Sequence, residues 1–579
     1  MIVVGIITAY NFGLKKDDDQ PQHKLFHGAV VANGKECADI GALIFKQNGS
    51  IADAAIATML CEGVTCKCNF LLSPKLNSRT FSIIFLAGPQ STGLGGGFHM
   101  TIFIKEKNLV ECLDAREVAP KAATENMFVG GNHSSLEGGL SIAVPGELKG
   151  MWELHRKYGK LPWKEVFQPV IELCRNGHEV TEYLATVLRM KEQSIKDVPS
   201  LSEVFINPES KEIWKAGDRL KRLALADTFE TIANEGADTM YAGGKIGRQM
   251  LADIKEFGGI LTEEDFAQYK VKWLRPLQTT LKSGEQLYTM PLSGSGALLI
   301  FVMNLLKDYD LKHDILSWHR IIESYKLAYA KRSELADSDF VESAAALVAN
   351  LTSLEFAREA RKKIDDFRTH NEPGYYGEHF VAPDDHGTAQ ISILAPNGDA
   401  ISVTGTINYI LGSLRRSKTG IILNDQMDDF STPGIKNVYG IPPSANNYIA
   451  PGKRPMSSMA PSIILKTDGS VGMVIGSAGG SKITTAIANS IILHYYMKSN
   501  LSLYEIFSSK RLHHQLIPNE INFEPGFDQK IIDGLAALNH TMKVVEQTIG
   551  FGALVGILNE ENSVSGAYDP RRGGSVAVF

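Results

Sequence analysis

The sequence predicts an α+β protein. Apolar residues recur at helical spacing through much of the first 365 positions, and two hairpins with alternating polar and apolar residues stand close together after position 387. With 579 residues, 44% of them apolar and 21% charged, the chain is long enough for one large two-part body or several domains. The net charge of −6 and a pI near 6.2 set it apart from nucleic-acid binders, which present a basic face.

Residues 2–9 read IVVGIITA, too short an apolar run to span a bilayer, which needs about 20 residues. No basic region precedes the run and no cleavage site follows. Residues 1–27 are therefore expected to be a flexible N-terminus, either the remnant of a signal anchor or a plain apolar terminus. A helix is predicted from Cys37 to about Gln47, broken by Asn48-Gly49-Ser50, and an alanine-rich helix from Ile51 to about Glu62. Cys37 and Cys61 are equidistant from Gly49, so antiparallel packing brings them together as a disulfide or as two buried thiols. The six cysteines all lie in the first third of the chain, and five Asn-x-Ser/Thr sequons (Asn48, Asn132, Asn350, Asn500, Asn539) favour a secretory route.

Residues from about 66 to 88 are apolar and aperiodic. Cys66-x-Cys68 has no second Cys/His pair nearby, so no zinc site is expected. The following Gly93-Leu94-Gly95-Gly96-Gly97 run is not a dinucleotide fingerprint, because Phe98 stands where the last glycine belongs. Helices and loops alternate from Pro145 to about Ala226, with Trp152, Leu154, Trp163 and Phe167 as core. The middle is mainly helical to about Asp365, apart from a strand-like interval at 277–287.

The chemistry gathers around Thr388. Thr388, Gln390 and Ser392 alternate with Ala389, Ile391 and Ile393, Asn397-Gly398 signals a turn, and a second alternating strand carries Thr404, Thr406 and Asn408. With Asn397-Gly398 as the two turn residues, Thr388 faces Ile407; a slip of one residue sets Thr406 opposite. In both registers Thr406 and Asn408 are within side-chain reach of Thr388. A plain hairpin with a polar solvent face would show the same pattern. If the Gly387–Thr388 bond is cut, however, Thr388 gains a free α-amine beside its own hydroxyl, and nucleophile and general base come from one residue.

An acidic turn follows at Asn424–Asp429, fit to lie in solvent or to hold an ammonium. Ser457 and Ser458 then offer paired hydroxyls. A further hairpin turns at Thr467–Ser470 and leads through Gly479-Gly480 into a helix near Lys482, whose first amides suit negative charge.

Together these runs resemble the γ-glutamyltransferase (glutathione hydrolase) family of the N-terminal nucleophile hydrolases. The matches include Asp114-Ala115-Arg116-Glu117, Val144-Pro145-Gly146-Glu147, Met427-Asp428-Asp429-Phe430, Arg454-Pro455-Met456-Ser457-Ser458-Met459 and Gly479-Gly480-Ser481. The resemblance implies a four-layer αββα sandwich made as one precursor. Self-cleavage would give a large subunit (28–387 after the N-terminal stretch) and a small one (388–579), joined as a heterodimer. It implies that Thr388 attacks the γ-carbonyl of glutathione or another γ-glutamyl compound, and that water, an amino acid or a dipeptide accepts the acyl group. Thr406 would hydrogen-bond Thr388, and the Gly479 and Gly480 amides would form the oxyanion hole. Arg116, Ser457 and Ser458 suit the substrate α-carboxylate, and Asn408, Gln426 and Asp429 its ammonium. Cys37–Cys61 matches the family's disulfide; no metal or cofactor is implied. The place would be the extracellular face of the plasma membrane, through a type II anchor, or outside the cell.

Four departures stand out. Gln390 replaces a histidine, Gln426 a glutamate, and Ile410 and Leu411 replace aromatic residues. Residues 66–88 form an insertion whose ending suggests a retained intron. These departures define the alternative function: a catalytically weak or inactive secreted homologue that acts by binding.

Overall fold

The computed structural model describes residues 27–34, 36–65, 91–131, 133–377, 387–435, 443–545, 551–560 and 563–579. The stretch before His27 and the insertion at 66–88 lie outside the described residues.

Helices α1 (Cys37–Lys46) and α2 (Ile51–Glu62) form the expected antiparallel pair. Asn48 ends the first with φ +64°, a conformation asparagine tolerates. Ser50 starts the second with a reciprocal cap: its hydroxyl accepts the Asp53 amide and its own amide donates to the Asp53 carboxylate. Every residue of α2 is buried, so its alanines allow close approach on all sides. Cys37 and Cys61 form a disulfide with Cα atoms 5.4 Å apart, which decides between the two sequence readings.

The strands of the two large sheets are β1 (Ala29–Ala32), β2 (Gly97–Ile104), β3 (Leu109–Ala115), β4 (Lys272–Leu274), β5 (Leu277–Thr280), β6 (Gln286–Thr289), β7 (Gly387–Leu394), β8 (Ala400–Asn408), β9 (Ser462–Leu465), β10 (Val471–Ala478), β11 (Ala553–Glu560), β12 (Ser563–Tyr568) and β13 (Ser575–Val578). Among the described residues they build two large sheets, in the orders β13-β1-β7-β8-β2-β3-β4 and β12-β11-β10-β9-β6-β5. The interval at 277–287 is thus two antiparallel strands, β5 and β6.

The sheets face each other across an apolar layer that includes Val31, Leu394, Ile463, Val474 and Ile557. On the outer face of the first sheet, Ile391, Ile393, Ile401 and Val403 pack against α1, α2, α3 (Glu147–Tyr158) and α4 (Trp163–Asn176). Each such side chain contributes about 2 kcal/mol of burial. Trp163, Phe167 and Leu154 lie in this core and Trp152 packs on it. The outer face of the second sheet packs Ile464, Met473 and Ile475 against α5 (Gly296–Leu306), α6 (Ile315–Arg332) and α7 (Lys482–Ile491). The result is the four-layer αββα arrangement.

The β7–β8 hairpin differs from its expected register. Ala400 pairs with Leu394 and Gly405 with Ala389, one step from the pairing a two-residue Asn397-Gly398 turn would give. The loop instead starts with a type I turn, in which the Gly398 amide donates to the Ala395 carbonyl (2.9 Å), and Gly398 then takes φ +89°. The polar stripe is also not solvated. Gln390, Ser392, Ser402 and Thr404 are fully buried between the sheets; the Ser392 hydroxyl donates to the Val555 carbonyl and that of Ser402 to the Ile475 carbonyl.

Candidate active site

Thr388 is 1% exposed, and its carbonyl accepts a hydrogen bond from Nη1 of Arg572 at 3.0 Å. The ladder between β7 and β8 shifts between Gly405 and Asn408, where Asn408 pairs with Gly387. That irregularity turns Thr406 toward the chain just before Thr388. Its hydroxyl donates to the Gly387 carbonyl and accepts the Asn408 amide at 2.8 Å. The expected bond from Thr406 to Thr388 is thus replaced by one to the peptide group preceding it. Glycine is required at 387, since a Cβ there would lie 2.2 Å from the Asn408 carbonyl oxygen.

Gln390 lies two residues along the same face of β7. The Thr404 hydroxyl donates to its Oε1, and its Nε2 donates to Ser402 Oγ (3.0 Å) and the Ile391 carbonyl (2.8 Å). Its amide group also fills the space beside Gly476, where a Cβ would be 2.2 Å away. The glutamine is a satisfied, uncharged wedge between the sheets.

Asn408 leads to the substrate-binding candidates. Its Nδ2 donates to the Asp425 carbonyl at 3.2 Å, while its Oδ1 is buried with no hydrogen-bond partner. Gln426 sits in a short 3₁₀ turn, Gln426–Asp429; its Nε2 donates to Asp429 Oδ2 at 2.5 Å and its Oε1 is likewise unpartnered. Arg116, fully buried at the end of β3, donates from Nη2 to that same Asp429 oxygen and from Nε to the Pro455 carbonyl (3.4 Å). Arg116 and Asp429, expected to meet the two opposite charges of one ligand end, are here an ion pair. Burial pushes the neighbouring acids upward: Glu117 rises to about 8, and Asp425 stands well above the carboxylate range. The burial that raises these two acids also surrounds the Arg116–Asp429 ion pair.

Ser457 accepts the Met459 amide on its hydroxyl at 3.2 Å. Ser458 Oγ accepts from Nη2 of Arg332 at 2.8 Å, so this hydroxyl already has a buried cationic neighbour. Gly479 and Gly480 follow β10 with φ +126° and +61°, and Ser481 precedes α7, so their amides lie at a helix start. Nη2 of Arg572 lies 3.7 Å from where a Gly479 Cβ would stand, so one guanidinium spans the Thr388 carbonyl and the glycine turn. Hydrogen bonds and contacts thereby join Thr388, Thr406, Asn408, Gln426, Asp429 and Arg116 on one side and Gly479 on the other.

Ile410 and Leu411, which replace aromatic residues, lie in an apolar cluster. With Leu414 and Ile422 they are buried against three short helices within 182–205, so their apolar character anchors a helical cap to the end of β8. Sequence reasoning missed Arg572 and Arg332. Both act across more than a hundred residues of chain, and neither lies in a periodic or motif context that marks it.

One grouping of His319, Glu323 and His540 brings its ligand atoms within 4.8 Å of one another. It does not suit a metal. Nε2 of His319 faces the Asp365 carbonyl and Nδ1 faces His540 at 2.8 Å, while the Glu323 carboxylate accepts hydrogen bonds from the Thr369 and Tyr376 hydroxyls beside the Lys326 ammonium.

Residues 81–579 match the family model described as gamma-glutamyltranspeptidase. The chain is 36% identical over 565 residues to glutathione hydrolase proenzyme 1 of Schizosaccharomyces pombe, covering 96% of this chain and 84% of that protein. It is 41% identical over 559 residues to Scoloptoxin SSD14 of Scolopendra dehaani, covering 95% and 92%. The crystal structure of cephalosporin acylase from Bacillus halodurans superposes with a TM-score of 0.78 over 100% of this chain and 99% of that one, at 22% identity, a likeness of fold.

Proposed function

Because the chain belongs to the gamma-glutamyltranspeptidase family, we propose that it is a glutathione hydrolase and γ-glutamyltransferase that matures by cutting itself between Gly387 and Thr388. The observation that carries the cut is the Thr406 hydroxyl on the Gly387 carbonyl. In the precursor the Thr388 hydroxyl attacks that carbonyl carbon, and Thr406 donates to the oxygen as it becomes negative. The amide nitrogen leaves, an ester between Gly387 and Thr388 forms, and water hydrolyses it. The Thr388 amine is then free to take the proton of its own hydroxyl. Residues up to 387 form the large subunit and 388–579 the small one.

In the mature site Thr388 attacks the γ-carbonyl of glutathione or another γ-glutamyl compound, with the Gly479 and Gly480 amides receiving the oxyanion. The cysteinylglycine amine leaves, and water, an amino acid or a dipeptide then takes the γ-glutamyl group from the threonine ester. No cofactor takes part. The substrate end is a zwitterion, and the Arg116–Asp429 pair supports its binding. The α-carboxylate takes over Arg116, with Ser457 and Ser458 alongside, and the α-ammonium takes over Asp429. No buried charge is left uncompensated by that exchange. The unpartnered Oδ1 of Asn408 and Oε1 of Gln426 are acceptors suited to the same ammonium.

The disulfide and the exposed sequon asparagines at 48, 350, 500 and 539 support export from the cell, as a secreted protein or on the outer face of the plasma membrane. Among the described residues no helix is long and apolar enough to cross a membrane.

The test is a denaturing gel with a γ-glutamyl anilide assay. Wild-type protein is expected as two bands that release the chromophore. Thr388→Ala is expected as one uncut, inactive band. A normally cut or active Thr388→Ala protein would overturn the assignment.

A further inference from the structure

A turn made of two consecutive glycines is soft, because neither residue has a side chain to restrict its backbone. If the Gly479 and Gly480 amides are to point at one place, they must be held from outside the turn. On the entry side they are: β10 is paired with β11 as far as Ala478, opposite Ala553. On the exit side the holding point is Ser481, which is gripped at its hydroxyl and at its carbonyl. Its hydroxyl donates to Oε1 of Gln515 at 2.7 Å, and its carbonyl accepts the hydroxyl of Tyr329 from α6.

The Gln515 amide has no freedom to flip. Its Nε2 donates to the Ile517 carbonyl at 3.2 Å, which leaves Oε1 as the acceptor facing Ser481. That oxygen also accepts from Nε2 of His513 at 3.0 Å. With the proton on Nε2, Nδ1 of His513 is the acceptor for the Thr485 hydroxyl at 2.7 Å. Thr485 lies one turn along α7 from Ser481, so two points of the first turn of α7 are tied to one segment, 513–515. On the other wall, Tyr329 is followed one turn later on α6 by Arg332, the partner of Ser458. One face of α6 therefore touches both the glycine turn and the serine loop.

We propose that Gln515 and Tyr329 are positioning residues for the oxyanion donors, fixing Ser481 and through it the directions of the Gly479 and Gly480 amides. This rests on the reading of those glycines as the oxyanion hole. Neither residue is among those assigned to hold substrate, so their loss is expected to misalign the transition-state contact and to leave ground-state binding alone.

The test uses the processed two-subunit enzyme. Gln515→Met keeps the side-chain length and removes the acceptor; Ser481→Ala removes the donor. Each is expected to lower kcat about tenfold with KM within about twofold, since a displaced oxyanion contact costs rate rather than affinity. The double variant is expected to be no slower than Gln515→Met alone, because Ser481→Ala removes a bond that Gln515→Met has already broken. Tyr329→Phe, one oxygen smaller, is expected to lower kcat likewise and decides the matter alone if Gln515→Met does not fold. Unchanged kcat in Gln515→Met or Tyr329→Phe, losses that multiply in the double variant, or a change confined to KM would overturn the proposal. Those results in an enzyme that Thr388→Ala still abolishes refute the clamp only; activity surviving Thr388→Ala refutes the proposed function itself.

Discussion

The hydroxyl of Thr406 donates to the carbonyl oxygen of Gly387, one residue before the buried Thr388. In the proposed self-cleavage a donor so placed would act first on the intact chain, where that oxygen would become an oxyanion. Thr406→Val keeps the branched shape and deletes the donor. Self-cleavage is expected to slow by about a hundredfold, the usual cost of one oxyanion contact, while Thr406→Ser is expected to cut at close to the wild-type rate. The time course of band conversion in freshly made precursor measures both. A valine variant cut as fast as wild type would show that the bond only supports the hairpin.

Gln426 donates to the same Asp429 oxygen that Arg116 holds. In Gln426→Glu that donor becomes a second carboxyl, and two carboxylates so close share a proton until a cation arrives. Binding of the substrate ammonium would then release the proton. KM of the variant is therefore expected to fall with rising pH between 6 and 8.5, more steeply than that of wild type and by up to about tenfold per pH unit, the slope for one proton released on binding. Parallel pH profiles would refute the placing of the ammonium at this corner.

Glu117 is buried beside Arg116, and burial raises its carboxyl from an ordinary 4.5 to about 8, against the pull of that guanidinium. The folded protein thus keeps a proton that the unfolded chain gives up above about 4.5. Stability from this group is complete below that pH, declines as pH rises, and is lost by about 8. Glu117→Gln cannot ionise, so its melting temperature relative to wild type is expected to be higher at pH 8 than at pH 5. Equal differences at the two pH values would mean that Glu117 is charged in the folded protein.

The Cys37–Cys61 bridge closes a loop of sequence separation 24. Replacing both residues with serine is expected to cost about 3 kcal/mol by releasing the unfolded chain. Denaturant midpoints should fall, and reductant should lower the wild-type midpoint to match. An unshifted midpoint in both experiments would mean that the α1–α2 packing holds by itself.

Local chemistry made part of this molecule readable in advance. The α1–α2 pair follows from the Ser50–Asp53 cap and from alanines that fit any face, so its ends lie within a residue of expectation. The hairpin was readable but its register was not. Asn397-Gly398 suggested a two-residue turn, whereas Pro396 suits the second position of a type I turn, which moves Gly398 to the bulge. Thr406 was placed near Thr388, but its partner depends on a break in the ladder set by the close approach of Gly387 to Asn408. Arg332 on Ser458 and Arg572 on Thr388 were invisible because tertiary packing alone joins them. The Arg116–Asp429 bond was hidden for another reason: both residues were assigned to a ligand, and without one opposite charges in a buried corner meet.

The sheet order gives a cut chain an unusual mechanical character. β1 belongs to the segment before Gly387, yet it is hydrogen-bonded on one edge to β13 and on the other to β7, both from the segment after it. A break at Gly387–Thr388 would leave this ribbon seamed on two sides into the other piece. Ordinary two-chain complexes fall apart on dilution. Here separation would require tearing the first sheet along both seams, so the two pieces would melt as one body, in a single step whose midpoint rises with protein concentration because unfolding releases two chains. By covalent count the product would be a dimer; in its cooperativity it would remain a single molecule.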